Sequence, residues 1–210
     1  MAVAAVNGKG SCLRLPCRGN VFVMQPRRSS QAGFSLAELM AVVVIAGILA
    51  AVGVTYFQKH AKASKVTEAQ AMVQSIRGAE ERYRAENKQY LNVSGTLPTH
   101  ADSSNYYPHA PDGSRRMFFL PAGDTTAGNK LWWLLGPTTS GPVQFGYAVV
   151  AGGANVQMAT PDLPSAPTMP TPTDSWYVIQ AAADNDGDGN QCVVVGTSLD
   201  GEVTVANEGE

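Results

Sequence analysis

The chain has 210 residues, of which 17 are acidic and 15 are Lys or Arg, and its formal net charge is −2 at pH 7. This length allows one domain with an extension. Residues 1–33 contain five of the basic residues and no acid, and after Lys88 only three basic residues stand against twelve acids. Such a chain lacks the basic face that unspecific binding to phosphate backbones requires, and we expect no nucleic-acid binding.

The first 33 residues are expected to be a leader that is removed. They are rich in Gly, Ser and Arg and contain no apolar run long enough for a secretory signal peptide. Met24 begins a short basic stretch that ends at Gly33, and we expect translation to start at Met24. Cys12 and Cys17 lie in the leader, so the mature chain would keep only Cys192 and form no intramolecular disulfide.

A long helix is the next element predicted. Residues 39–57 form a run of 19 positions without a charged side chain, about 28 Å as a helix, which matches a bilayer core of about 30 Å. No proline occurs between Phe34 and about Leu91, and beyond Phe57 apolar residues recur every three or four positions. We predict a membrane-spanning part at residues 34–57 and an amphipathic part at residues 58–92. The opposite face of the amphipathic part is interpreted as a solvated surface formed by Lys59, Lys62, Lys65, Glu68, Arg77, Glu81, Arg84, Glu86 and Lys88.

A β-rich domain is predicted for residues 93–210, because turn residues multiply and short apolar runs appear. The predicted strands are residues 117–120, 143–151, 176–182, 192–196 and 202–205. Residues 131–137 fit either a strand or a short helix, and the proline-rich residues 161–174 fit an exposed irregular loop. The sequence thus predicts an α+β fold in which the second half of the helix packs on a small antiparallel sheet.

The junction of leader and apolar run reads Gly33-Phe34-Ser35-Leu36-Ala37-Glu38-Leu39-Met40. It combines a basic leader, a Gly-Phe junction and an acid at the fifth position of an otherwise uncharged helix. This closely resembles the class III signal of type IV prepilins and type II secretion pseudopilins. The resemblance implies that a prepilin peptidase cuts between Gly33 and Phe34 on the cytoplasmic side and methylates the new amino terminus of Phe34.

Glu38 calls for a partner on physical grounds. A carboxylate near the membrane end of a helix costs several kcal/mol unless a cation or an interior position compensates it. By the resemblance, that partner is the amino terminus of a neighbouring subunit, and Glu38 sets the register of each subunit that enters the filament. Without the resemblance, Glu38 would be interpreted as a side chain that reaches the bilayer interface.

The resemblance also implies the type IV pilin fold and a structural role. The chain would form a homo- or hetero-polymer with other pilins, as a major or minor subunit of a type IV pilus or pilus-like filament. Implied partners are the prepilin peptidase, the assembly ATPase and the platform protein. The implied location is the bacterial inner membrane, with a single span and a periplasmic C-terminal domain, followed by an extracellular or periplasmic filament. A looser resemblance to pilin-like proteins of myxobacteria covers residues 132–136, 141–147 and 183–190.

Thr55 stands where many proteins of this family have a proline, at which the helix can unwind as the filament forms. Threonine keeps its backbone N–H and does not force a break. Gly47 and Gly53 each weaken the helix by about 1 kcal/mol relative to alanine. We therefore expect this helix to be more continuous than in those relatives.

An acidic loop follows the third predicted strand and is a candidate calcium site. Its candidate ligands are Asp184, Asp186 and Asp188, with Asp200 or Glu202 from the next hairpin. The first three alternate as the first acids of a calcium-binding loop do, but the twelfth position is Val195 instead of a bidentate Glu. By the resemblance, major pseudopilins use calcium near their carboxyl end. A solvated turn is the alternative, and both interpretations stay open.

Two alternatives to a pilus subunit also stay open. One is a type II secretion pseudopilin, and the other is a membrane-anchored periplasmic binding or enzymatic domain that does not polymerise. We expect no enzymatic activity and no required cofactor. His60, His100 and His109 form no metal-spaced pair, and the sequence contains no nucleophile elbow or phosphate-binding glycine loop.

Overall fold

The protein has an α+β fold, as predicted. The structure, a computed structural model, describes residues 33–108, 110–118 and 127–208. In chain order its elements are α1 (Leu36–Asn87), β1 (Arg116–Met117), α2 (Ala127–Leu135), β2 (Pro142–Val143), β3 (Gly146–Gly152), β4 (Trp176–Ala183), β5 (Cys192–Thr197) and β6 (Val203–Ala206). By its internal contacts the chain forms two units, Met1–Ile45 and Ala46–Glu210. The predicted leader, including Met24, and His109 lie outside the described residues, apart from Gly33.

Helix α1 begins directly after Ser35 and ends at Asn87. The hydroxyl of Ser35 accepts a hydrogen bond of 3.2 Å from the backbone N–H of Glu38, which is the arrangement of an N-cap. The helix ends four residues before the predicted Leu91. Lys88 adopts a left-handed conformation with φ 62°, and its backbone N–H donates to the carbonyl of Arg84. Lysine rarely marks such an end, so the sequence offered no signal for it.

The apolar part of α1 has the length and composition to cross a membrane. Its most apolar 18-residue window has a mean hydropathy of 2.5, and none of that window is buried. The backbone is helical through Gly47, Gly53 and Thr55. The helix is therefore unbroken at Thr55, where the sequence predicted that it would be continuous.

The main sheet is antiparallel throughout, with the order β3-β4-β5-β6. Strands β4, β5 and β6 lie within one residue of the predicted bounds at each end. The predicted strand at 143–151 is instead divided into β2 and β3, because Gln144 leaves the sheet. Its backbone N–H donates to the Glu68 carboxylate and its amide group donates to the carbonyl of Gly113. Strand β2 pairs with β1, which covers Arg116–Met117. The first predicted strand, residues 117–120, overlaps β1 at Met117, and its residues 119–120 lie outside the described residues.

Helix α2 settles the segment that the sequence left as strand or helix. Trp132 and Leu135 point into the core, whereas Trp133 is 60% exposed and Leu134 is 50% exposed. The Trp132 ring packs against Tyr107 and Phe118. The helix is therefore amphipathic, with its buried face anchored by aromatic contacts.

The apolar stripe of α1 packs on one face of the main sheet. Its buried members are Val66, Ala69, Met72, Val73, Ile76 and Ala79. Each fully buried Val or Ile contributes about 1.5–3 kcal/mol of transfer free energy. A β-carbon at Gly196 would lie 2.8 Å from Cγ1 of Val73, so this close approach of helix and strand requires glycine.

The other face of the sheet is covered by loops. Met158, Met169 and Tyr106 pack there against Trp176 and other buried residues of β4. Residues 161–174 form no helix or strand, as predicted, but they are not wholly exposed, because Met169 belongs to this second core. Strand β4 is consequently buried along all eight of its residues.

Candidate functional site

The predicted processing junction lies directly before α1. Gly33, Phe34 and Ser35 are exposed and belong to no helix or strand, and Phe34 is 81% exposed. A peptidase cleft can accept an exposed backbone that is not held in a helix or strand. The structure thus places the predicted cleavage bond in an accessible segment.

Glu38 lies in the first turn of α1 and is exposed in the isolated chain. Residues 35–38 have the spacing of a capping box, with Ser35 accepting the N–H of Glu38. A carboxylate in this turn also interacts favourably with the positive end of the helix dipole. Glu38 therefore has a local role in starting the helix. Any test of its role in assembly must distinguish the two roles.

The apolar part of α1 presents large side chains on every side. Between Phe34 and Phe57 they are 57% to 81% exposed. A contiguous apolar surface of this extent is far beyond what soluble monomers expose. It requires a bilayer, other helices, or both.

The comparisons with known proteins agree with these observations. The prokaryotic N-terminal methylation motif matches residues 28–54. The type II secretion system core protein G of Pseudomonas aeruginosa is 30% identical over 127 residues, which cover 60% of this chain and 88% of the relative. The chain belongs to the type IV pilin and pseudopilin family. A fimbrial protein of Pseudomonas aeruginosa is 36% identical over 73 residues, covering 35% of this chain and 47% of the relative. No solved structure matches the chain significantly.

Membership in this family confirms the predicted structural role. The protein is a pilin-like or pseudopilin-like subunit that assembles with other pilins into a pilus-like polymer. The exposed apolar part of α1 is the membrane anchor that this role needs. The match to protein G covers more residues than the N-terminal motif, so the likeness extends beyond the signal.

The acidic loop brings three of its four predicted ligands together. Carboxylate oxygen atoms of Asp184, Asp186 and Asp188 lie within 4.8 Å of one another. The Asp184 carboxylate accepts hydrogen bonds from the backbone N–H groups of Gly187 and Gly189, at 2.6 and 3.0 Å. Both glycines have positive φ, which closes the turn around this carboxylate.

A lysine of α1 already lies beside this cluster. The ammonium of Lys62 is 2.9 Å from Oδ2 of Asp186, and the ammonium of Lys65 donates to the carbonyl of Asn185. The hydrogen bond from Lys62 lowers the pKa of the Asp186 carboxyl. Any metal ion at this loop would have to compete with Lys62 for Asp186. The sequence pattern placed Lys62 on a solvated face and gave no sign of this contact.

Asp200 and Glu202 do not join the cluster. They lie in the turn between β5 and β6, at the opposite end of β5 from the acidic loop. Arg77 of α1 binds the carbonyl of Thr197 at the end of β5 and the carbonyls of Gly201 and Glu202 in that turn. Because Lys62 and Arg77 are about 22 Å apart along the helix, the two loops cannot share one ion. The prediction that the hairpin completes a calcium site is corrected by this geometry.

Proposed function

We propose that a prepilin peptidase cuts the chain between Gly33 and Phe34, and that the mature subunit polymerises through α1. The methylation motif at residues 28–54, next to a helix able to span a membrane, carries this proposal. The exposed backbone at residues 33–35 supports it. In this scheme the peptidase methylates the amine of Phe34, and the apolar helix stays with the protein after cleavage.

In the filament, Glu38 pairs with the Phe34 amine of a neighbouring subunit. The exposed position of Glu38 in the first turn leaves its carboxylate accessible to another chain. A buried carboxylate and a buried amine among apolar helices each need an opposite charge. The C-terminal domain faces the periplasm before assembly, and an assembly ATPase and a platform protein drive insertion of the subunit.

Processing is tested by the mass of the mature N-terminus. Coexpression of the full chain with a prepilin peptidase is expected to give a product that begins at Phe34 and carries one extra methyl group. Gly33→Val is expected to lower the processed fraction at least about tenfold, because a cleft fitted to glycine rejects a branched side chain. Ser35→Ala is the control and should be cut normally.

Residues 1–33 still attached to the wild-type product would overturn this proposal. In the protein isolated from cells that express its natural gene, any peptide from residues 1–23 would contradict a translation start at Met24.

A type II secretion pseudopilin is the second candidate, favoured by the 88% coverage of protein G against 47% coverage of the fimbrial protein. Expression in a bacterium that lacks its own protein G separates the two. Restored secretion is expected for a pseudopilin, whereas surface filaments without secretion are expected for a pilus subunit. The test uses the whole processed chain in its membrane.

Calcium at the acidic loop is a separate proposal, supported by the three convergent carboxylates. Calcium would raise the unfolding temperature of the mature chain by several degrees relative to chelator. Lys62→Ala is expected to tighten calcium binding about two- to fivefold, because it removes the competing ammonium from Asp186. Lys130→Ala, which changes an exposed lysine of α2, is the matched control and should bind as wild type.

Titration calorimetry with calcium chloride gives the affinities. Equal melting temperatures with calcium and with chelator, in both the wild type and Lys62→Ala, would identify the loop as a turn closed by Lys62 without a metal.

We also infer that the subunit is not an enzyme. His60 and His100 are both exposed and lie on different parts of the chain, α1 and the segment after it. The role of α1 in polymerisation needs no catalytic group.

A further inference from the structure

One carboxyl group of α1 is buried in the core. Glu80 is 0% exposed and lies among the buried apolar residues of the α1 stripe. Its Oε2 accepts a hydrogen bond of 2.9 Å from the backbone N–H of Leu91. Its Oε1 is buried and has no hydrogen-bond partner in the part of the chain that the structure describes. A buried carboxyl with one hydrogen bond is far better tolerated protonated than charged.

The neighbouring charged groups are engaged elsewhere. They are Arg77, Glu81 and Arg84, all on α1, and the neutral phenols of Tyr90 and of Tyr177 in β4 also face this region. Arg84 donates to the hydroxyl of Tyr90, which in turn donates to Glu81. Arg77 binds the carbonyls of the β5–β6 turn. Burial, opposed by the bond from Leu91 and assisted by the charge of Glu81, raises the pKa of Glu80 to about 7.

Leu91 begins a segment that covers the edge of the main sheet. The backbone N–H of Ser94 donates to the carbonyl of Val149 in β3, and the hydroxyl of Ser94 accepts the N–H of Val149. Farther along, Tyr107 and Tyr147 exchange two backbone hydrogen bonds. Strand β3 is an edge strand, whose free N–H and C=O groups would otherwise be open to another chain. The bond from Leu91 to Glu80 ties the start of this cover to α1.

We propose that Glu80 is a proton-controlled latch that holds residues 91–94 over the edge of β3. With its proton, the carboxyl stays buried and the cover stays closed. Loss of the proton favours an opening of residues 91–94, which lets water reach the carboxylate and frees the edge of β3. This regulation is independent of the processing and polymerisation proposed above, because it uses contacts within one globular unit.

The direction of the pH dependence follows from linkage. The closed form keeps its proton up to about pH 7, whereas the opened form has the ordinary carboxyl pKa of 4.5. Protonation therefore stabilises the closed form fully below about pH 4.5, and this stabilisation is lost as the pH rises to about 7. Between these limits the opening constant increases by up to about tenfold for each pH unit.

Amide hydrogen exchange of the full mature chain in detergent micelles tests the latch. After correction for intrinsic exchange, opening at Leu91 and Ser94 is expected to be at least about tenfold more frequent at about pH 7.5 than at about pH 5. Ile179, in the centre of the sheet, should open far less often than Leu91 and Ser94 at both pH values, because its exchange needs a larger opening. Equal opening at the two pH values would overturn the proposal.

Two variants separate the carboxyl from its surroundings. Glu80→Gln keeps an acceptor for Leu91 but cannot lose a proton, so the pH dependence should disappear. Glu86→Gln changes an exposed acid of the same helix and should keep it. A Glu80→Gln chain that retains the wild-type pH dependence contradicts the latch. Should Glu80→Gln fail to fold, the carboxyl ¹³C shift of Glu80 in the wild type decides, since a midpoint above about pH 6 supports the latch and one near 4.5 refutes it.

Discussion

Glu38→Gln is expected to abolish filament formation while the chain still folds, inserts into the membrane and is cut. Glutamine has the size of glutamate and keeps the capping-box spacing with Ser35, so α1 should begin as it does in the wild type. What the variant removes is the negative charge. A Phe34 amine buried among apolar helices would then have no partner, and we expect on the order of a hundredfold fewer filaments.

The matched controls separate charge from capping. Ser35→Ala removes the cap, at about 1 kcal/mol of helix stability, but keeps the carboxylate and should still polymerise. Glu38→Asp keeps the charge and should retain part of the assembly. Filaments are counted by electron microscopy of the sheared fraction. Normal filaments from Glu38→Gln would contradict the pairing of Glu38 with Phe34. A wild-type chain that neither forms filaments nor restores secretion would favour a membrane-anchored domain that does not polymerise.

Gln180→Leu is expected to destabilise the globular domain by about 3–5 kcal/mol. Gln180 is completely buried in β4. Its amide group donates to the carbonyl of Pro98 at 2.9 Å and to the hydroxyl of Tyr106 at 2.7 Å, and its Oε1 accepts the N–H of Asp162 at 2.9 Å. Leucine fills a similar volume but leaves these three groups without their hydrogen bonds to Gln180. Each lost bond costs about 1–3 kcal/mol.

Urea unfolding of the mature chain in detergent measures this loss. Gln89→Leu changes an exposed glutamine and should alter the unfolding free energy by no more than about 0.5 kcal/mol. Tyr106→Phe removes one of the three bonds and should cost about 1 kcal/mol. A loss below about 1 kcal/mol for Gln180→Leu would mean that water or rearranged loops replace the amide, and Gln180 would then not fix the loops on the sheet.

The buried polar residues show where sequence patterns mislead. Gln180 stands in the middle of an apolar run, and Glu80 stands next to charged residues of an amphipathic helix. Spacing alone places each of them at an apolar position without indicating what would satisfy its polar atoms. Each becomes distinctive only because segments distant in sequence supply its partners, as residues 98, 106 and 162 do for Gln180.

The acidic loop gives the same lesson for a candidate site. The sequence grouped Asp184, Asp186 and Asp188 correctly, because alternate residues in one tight turn lie close together in almost any fold. It wrongly added Asp200, since nearness in sequence across a hairpin says nothing about which end of the strand a residue occupies. It also missed Lys62, 124 residues from Asp186.

The sequence by itself determined the features that depend on contiguous residues. These are the prepilin motif around Gly33 and Glu38, the apolar span, the buried stripe of α1 and the cores of β4 and β5, all of which follow from local spacing and hydrophobicity. Only the tertiary structure decided the end of α1 at Lys88, the division of residues 143–151 into β2 and β3, and the helical state of residues 127–135. The physical reason is that the last two depend on hydrogen bonds or packing with distant segments, which outweigh the weak local preferences of a short stretch of chain. The first depends on a left-handed backbone that lysine rarely adopts.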